Sequence, residues 1–305
     1  MENLVPELYR NYGIYTNKDK MLPLIIDGLL PVQRRILLTA HLIAKTSFVK
    51  TAKILGEAMS RYHPHSEASG TVAWAVQNDF MIGEGQWGSR LGVEPIDCAA
   101  PRYTKVKSNP KIEDLAFELV NYVHWEEDEL DPEPIALPTM FPFCLIAKYE
   151  LSSIGFGYKT EIPCYEIKDL SKRLLYLYGK DKKYTPSPKI EGCKILSPAS
   201  EYEKLFTVGK ASIDIQGLYS VDKVNKKVII KGWNPRSTFK VIIKKIDSYN
   251  NWNLLTNEDV GFQDQSTDKT GTYIVFEVTK QRSVDSIFDK LVEAVNDSLT
   301  TNISF

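Results

Sequence analysis

The chain has 305 residues, 43% of them apolar and 25% charged, with a formal net charge of −1. The length corresponds to about two domains and the composition is that of ordinary globular proteins, which excludes a disordered tail, a fibrous repeat and a disulfide-stapled miniprotein. No apolar run approaches the roughly 20 residues of a membrane helix, Glu2, Glu7, Arg10 and Lys18 interrupt any signal-peptide core, and Cys98, Cys144, Cys164 and Cys193 form no CxxC pair, so they read as reduced thiols of an intracellular protein.

In chain order, Pro31 suits a first helical position, and Val32, Ile36, Leu37, His41 and Ile43 follow at helical spacing over 32–46. A second helix is expected over 51–61, with Ile54, Leu55, Ala58 and Met59 on one face. Pro64 ends it. Ser66 is a candidate N-cap for a third helix running to about Asn78. Helix, short turn, helix is the helix-turn-helix outline, and the glycine-rich stretch after it suits a β wing. Residues 126–142 carry four prolines and are expected to loop. Short strands are expected over 145–163 and a helix over 166–178. Residues 181–192 read as a linker. Beyond 193, strand patterns at 211–219, 226–231 and 272–279 alternate with helices near 237–247 and 283–299. The fold class expected is therefore α+β: a helix-turn-helix region over 1–165 and a second α+β region over 166–305.

The net charge hides a segregated pattern. Residues 1–112 carry 14 basic against 10 acidic residues, whereas 113–135 carry nine acids and no Lys or Arg. Arg102, Lys105, Lys107 and Lys111 form a basic cluster with no acid between Cys98 and Ile112. Such a cluster can meet phosphates even on a neutral protein, although four basic residues also suit a solvated loop. Gly83 to Gly88 spells GxGxxG, but Gly92 and Pro95 interrupt any following helix and no βαβ unit surrounds it, so a tight turn is the better reading. His63 and His65 have metal-ligand spacing, but no further ligands are evident. No Walker A, kinase or Gly-x-Ser-x-Gly motif is present. Tyr103 lies within the basic cluster, beside Arg102. A tyrosine becomes a nucleophile when its phenol is activated and the developing charge is stabilised, and an arginine fork matches two phosphate oxygens. By chemistry alone, a packed or surface tyrosine fits these residues equally well.

Several motifs in one order resemble the breakage-reunion subunit of type IIA DNA topoisomerases, the gyrase A and topoisomerase IV A group. Residues 27–37, DGLLPVQRRIL, resemble that family's DGLKPVHRRIL. Residues 61–65, RYHPH, are similar to its KYHPH, and 85–89, GQWGS, to GQGNFGS, one residue shorter. AAPRYT at 99–104 resembles AAMRYTE, and LPTMFP at 137–142 and SIGFG at 153–157 follow in the family order. The resemblance runs from about residue 19 to 305 and is strongest through 163.

The resemblance implies a winged-helix DNA-cleavage domain over 1–165 followed by a tower-like α+β domain over 166–305. Tyr103 would attack a DNA phosphodiester to give a 5′-phosphotyrosyl link, with Arg102 stabilising the transition state and Arg35 and His65 lining the scissile phosphate. His63, Lys20, Lys105, Lys107 and the helix opening at Ser66 would contact DNA. Ile154 matches the isoleucine that wedges between bases, a device that offsets the cost of unstacking with added wrapping. The implied partners are double-stranded DNA, a second copy across the DNA gate, and a TOPRIM/ATPase B subunit that holds Mg²⁺ and ATP. The setting would be the cytoplasm of a bacterial or phage-infected cell, with no membrane involvement. The family continues into a coiled coil and exit gate beyond the pattern at 302–305, so a truncated or split subunit is expected, with a separate polypeptide as one source of the missing gate. Leu30 and Gln33 replace the usual lysine and histidine of the first motif. Ala68 and Val72 stand where bacterial relatives hold quinolones through a serine and an acid, which implies weak quinolone sensitivity. The rival reading is a non-catalytic DNA-binding or architectural protein derived from the same fold.

Overall fold

A computed structural model describes residues 4–63, 68–89, 92–127, 131–249, 251–252, 259–267, 269–279 and 284–305. The chain divides into two compact units, residues 1–88 with 97–165, and residues 89–96 with 166–305.

The first unit begins with helix α1 (Leu4–Thr16), which runs into a π-helical turn over Asn17–Met21. The residue pattern predicts no element there. The reason is visible in the packing: the helix buries Gly13 and Thr16 rather than an apolar stripe, and Tyr9, Tyr12 and Tyr15 stay exposed. Helix α2 (Pro31–Ile43) opens at Pro31, as expected. Its first turn is closed by Gln33, whose Oε1 accepts from the Leu30 N–H at 2.9 Å. Strand β1 (Val49–Lys50) leads into α3 (Thr51–Arg61), which has the expected bounds. Helix α4 (Ser69–Gln77) starts later than expected. Its N-cap is Ala68, which makes no side-chain cap bond, and Ser66 lies outside the described residues.

Strands β2 (Met81–Glu84), β3 (Trp87–Ser89), β4 (Ile96–Cys98) and β5 (Lys105–Ser108) follow. They form an antiparallel sheet in the order β1-β5-β2 and a β3-β4 ribbon. The GxGxxG run is the β2–β3 turn, with no helix after it. A short helical turn α5 (Pro110–Ile112) passes into a π turn over Glu113–Phe117. The expected proline-rich loop contains a small hairpin of β6 (Trp125–Glu126) and β7 (Glu133–Pro134). The turn α6 (Phe143–Ile146) and the hairpin β8 (Leu151–Ile154)–β9 (Lys159–Ile162) complete the unit. Its core packs Ile36, Leu37 and Leu38 of α2 with Ile54, Val72, Val106, Leu137 and Phe143.

The second unit opens with α7 (Ile167–Leu177). Strand β10 (Cys193–Ile195), the helical turns α8 (Ala199–Tyr202) and α9 (Lys204–Thr207), and strands β11 (Ser212–Gly217), β12 (Tyr219–Asp222) and β13 (Lys227–Ile230) follow. Helix α10 (Phe239–Ser248), strands β14 (Val260–Asp264) and β15 (Ile274–Val278), helix α11 (Val284–Leu299) and strand β16 (Thr300–Ser304) close it. Two antiparallel sheets result, β10-β11-β16 and β12-β13-β15-β14. Helix α10 buries Phe239, Ile242, Ile243 and Ile246, one face of a 3.6-residue period. With Phe288, Leu291 and Val295 of α11 they cover the four-stranded sheet. Residues 89–96 belong to this unit, not to the first as the sequence boundary has it: Val93 packs against its core and donates its N–H to Asp264 Oδ2 at 2.8 Å.

Candidate functional site

The Tyr103 turn is built on the start of α3. A helix leaves its first N–H groups without intrahelical partners, and here the turn supplies acceptors. Thr51 N donates to Thr104 O at 3.1 Å and Ala52 N to Pro101 O at 3.3 Å. The buried Thr104 hydroxyl donates to Thr51 Oγ1 at 2.8 Å, and Lys50 Nζ donates to Arg102 O at 3.1 Å. Gly85 lies against the other side of the turn. Its φ is +107°, and a Cβ there would lie 3.2 Å from Tyr103 O, so both its backbone angle and its neighbour favour glycine. The tyrosine backbone is thus fixed from two sides while its side chain is 67% exposed. The Arg102 guanidinium lies 5.1 Å from the centre of the Tyr103 ring, within cation–π range. Two other phenols of this unit, Tyr62 and Tyr165, are buried, and burial raises both of their pKa values.

Strand β5 follows the tyrosine directly. Its alternation buries Val106 and Ser108 and leaves Lys105 and Lys107 on the opposite face. Lys105 Nζ pairs with Glu84 at 3.1 Å across the β2–β5 register, and Lys107 Nζ stands 4.9 Å from the Phe48 ring centre.

The adjacent arginines of α2 point to different partners. Arg34 is buried against the fully buried Asp27, with Nε–Oδ2 at 2.6 Å and Nη2–Oδ1 at 3.2 Å. Asp27 also accepts from Leu29 N and Leu137 N, both at 3.0 Å. A Cβ on Gly28 (φ +67°) would lie 2.6 Å from Cys144 Sγ. The Asp27-Gly28 pair therefore joins α2 to the 137–144 segment. Arg35 instead gives Nε and Nη2 to Glu133 at 2.7–3.1 Å, and its Nη1 lies 3.3 Å from His63 Nδ1. His65 and Ser66 lie outside the described residues.

Lys20 sits in the π-helical turn, next to the hairpin that carries Ile154. Asn17 Nδ2 donates to Phe156 O at 2.9 Å, Phe156 N donates to Asn17 Oδ1 at 2.8 Å, and the Ser153 hydroxyl donates to Met21 O at 2.6 Å. Ile154, at the end of β8, is 69% exposed. The structure thus joins Arg102 with Tyr103, Arg35 with His63, and the Lys20 turn with the Ile154 hairpin, each through its own partners. Ala68 and Val72 of the α4 region are buried.

Neither Glu133 nor the Glu113 cluster is singled out by sequence. Glu113 Oε2 lies 2.6 Å from His41 Nδ1, its other oxygen accepts from the Ser108 hydroxyl, and the His41 ring stacks on Phe117 at 4.3 Å. The one signal was the run of unmatched acids over 113–135. Among the described residues no three His, Cys, Asp or Glu converge to hold a metal ion, and no helix is long and apolar enough to cross a membrane.

Residues 20–305 match the sequence profile of the A subunits of DNA gyrase/topoisomerase IV. The chain belongs to this family. The topoisomerase 4 A subunit of Neisseria gonorrhoeae is 30% identical over 268 residues, 80% of this chain and 34% of the relative. That of Streptococcus pyogenes serotype M1 is 28% identical across 100% of this chain and 39% of the relative. That of Bacillus subtilis (strain 168) is 27% identical across 100% of this chain and 40% of the relative. The chain therefore spans 34–40% of the length of these relatives. The family match begins at Lys20 and takes in every candidate site residue.

Proposed function

We propose that this chain carries the DNA cleavage and religation chemistry of a type IIA DNA topoisomerase. The observation that carries the reading is the Tyr103 turn: an exposed phenol with an arginine against its ring, on a backbone held by the α3 N-terminus and Gly85. The Tyr103 oxygen would attack a DNA phosphorus. The phosphorus–tyrosine bond forms as the bond to the 3′ oxygen breaks; the phenol loses its proton and the 3′ oxygen gains one. Bond energy is conserved, so religation is the reverse step. Arg102, Arg35 and His65 would bind and orient the phosphate, with charge-assisted donors strongest where negative charge develops.

Helices α3 and α4 with the β1-β5-β2 sheet suit a winged helix, with the β3-β4 ribbon as its wing. Helix α4 and the Ser66 segment would meet the DNA backbone, with Lys20, His63, Lys105 and Lys107 adding phosphate contacts that position more than they read sequence. Ile154, exposed at a strand end, suits the wedge. The second unit would be the tower. Two copies would form the gate, each tyrosine cutting one strand. A TOPRIM/ATPase B subunit would supply ATP hydrolysis and Mg²⁺, whose charge stabilises a leaving 3′ oxygen.

The test is covalent trapping: the chain, a TOPRIM-bearing partner, Mg²⁺ and supercoiled plasmid, quenched with detergent. Linear DNA with protein on its 5′ ends is expected, and its complete loss in Tyr103→Phe. Persistence of the adduct in that variant rules Tyr103 out as nucleophile. DNA binding with no adduct from the unaltered chain favours the architectural reading.

A further inference from the structure

We infer that Glu133 is a positioning residue for Arg35 and, through it, for His63. The inference rests on the cleavage reading above, in which both groups face the DNA backbone. An arginine side chain loses rotamer freedom when it is fixed. A carboxylate that takes two N–H groups along one edge of the fork sets its plane before the substrate arrives. Glu133 does this through Arg35 Nε and Nη2. The third nitrogen, Nη1, reaches His63 Nδ1 at 3.3 Å. A guanidinium only donates, so this hydrogen bond needs Nδ1 as acceptor and favours the neutral imidazole with its proton on Nε2. The carboxylate thus orients the guanidinium, and the guanidinium favours that tautomer of the histidine.

Both ends of this relay are anchored. The Thr39 hydroxyl donates to Arg35 O at 2.7 Å on α2. Glu133 pairs with Glu126 in the β6–β7 hairpin, and Ile135 N donates to His124 O at 3.1 Å just beyond it. The same segment grips the chain on the other side of His63: Asp131 N donates to Arg61 O at 3.0 Å and Arg61 Nε donates to Asp131 Oδ2 at 2.7 Å. Arg35 and Glu133 line a cleft of about 420 Å³ together with Lys18, Leu22, Pro31 and Pro134. A phosphate entering there would meet an arginine that is already aimed. Glu133 and Asp131 thus act on the site through Arg35 and Arg61.

The test is a double-mutant cycle on the single-turnover rate of adduct formation at saturating DNA, with the TOPRIM partner and Mg²⁺ present. Glu133→Gln keeps the shape and removes the charge. It is expected to slow adduct formation by about 10²-fold, the order lost when a reacting group is misplaced by about 1 Å, with plasmid affinity not weakened. In an Arg35→Ala background the same change should alter the rate less than about two-fold. Glu133→Asp keeps the charge on a shorter stem and should fall between; it carries the same cycle if the Gln variant does not fold. A rate within about two-fold of the unaltered chain overturns the inference. So does an equal loss in the Arg35→Ala background, which marks a folding role, and so does a faster rate, which marks a latch that DNA must displace. If the unaltered chain forms no adduct, the cleavage reading fails and the inference goes with it. If its adduct is lost in Tyr103→Phe, the reading stands and the cycle decides Glu133 alone.

Discussion

In the first unit, buried polar groups tie neighbouring and distant stretches of chain together: Asp27 to Arg34 and Leu137, Glu113 to His41 and Ser108, and Asn78 to the N–H groups of Lys148 and Tyr149. In the second, nearly all the buried side chains are apolar. Among the described residues, all the buried polar and charged side chains except Arg173, Gln216 and Ser298 lie in the first unit. Its counterpart is a sheet covered by Phe239, Ile242, Ile246, Phe288 and Leu291. Apolar burial is strong but has no direction, and it suits a scaffold. A site needs groups held at fixed angles, and hydrogen bonds and ion pairs supply that, provided every buried partner is matched.

The contrast is most exposed at Asp27. Asp27→Ala leaves Arg34 buried without its carboxylate and Leu137 N without its acceptor, a loss of about 3–5 kcal/mol. Native-state hydrogen exchange resolved by peptide should show the loss in 27–38 and 136–144. A uniform loss over the whole chain would mean the hub is not local. In the second unit, Ile246→Val removes one methylene from a fully buried site and should cost about 0.5–1.5 kcal/mol in urea unfolding. A loss of about 3 kcal/mol or more would show a core as exacting as the polar hub. A third effect appears only at alkaline pH. Burial, with the Asp27 charge adding to it, pushes the Cys144 thiol from its ordinary 9.0 to about 12. The folded state therefore holds this proton more tightly than the unfolded chain. That contribution is complete below about pH 9 and is lost as pH rises toward 12. Cys144→Ala should flatten this part of the stability–pH curve; an unchanged slope assigns it to other groups.

Legibility follows the same division. Helix α10 and strands β11 and β13 were readable because one apolar face repeats at a fixed period, and β15 because it is a short continuous apolar run. Strand β16 was not, since among its five residues only Ile303 is buried, too little alternation to register. In the first unit, α3 was legible to the residue, whereas α1 hid behind small contact residues and α4 began at Ala68 without a side-chain cap. The Tyr103 turn stood out through its motif and charge. What holds it, the α3 N–H groups and Gly85, did not, because those contacts are between backbones and leave no pattern of side-chain types.

The sequence by itself determined the periods of most helices and strands, the order of the motifs and, through them, the family. The family motif singled out Arg35, but nothing in the sequence said which carboxylate Arg34 or Arg35 would meet. The two side chains are chemically identical, and successive residues of a helix point about 100° apart. Only the tertiary structure decided that one meets Asp27, seven residues away, and the other Glu133, 98 residues away. Charge pairing is set by which carboxylate lies within a few ångströms, and distance along the chain does not determine distance in space.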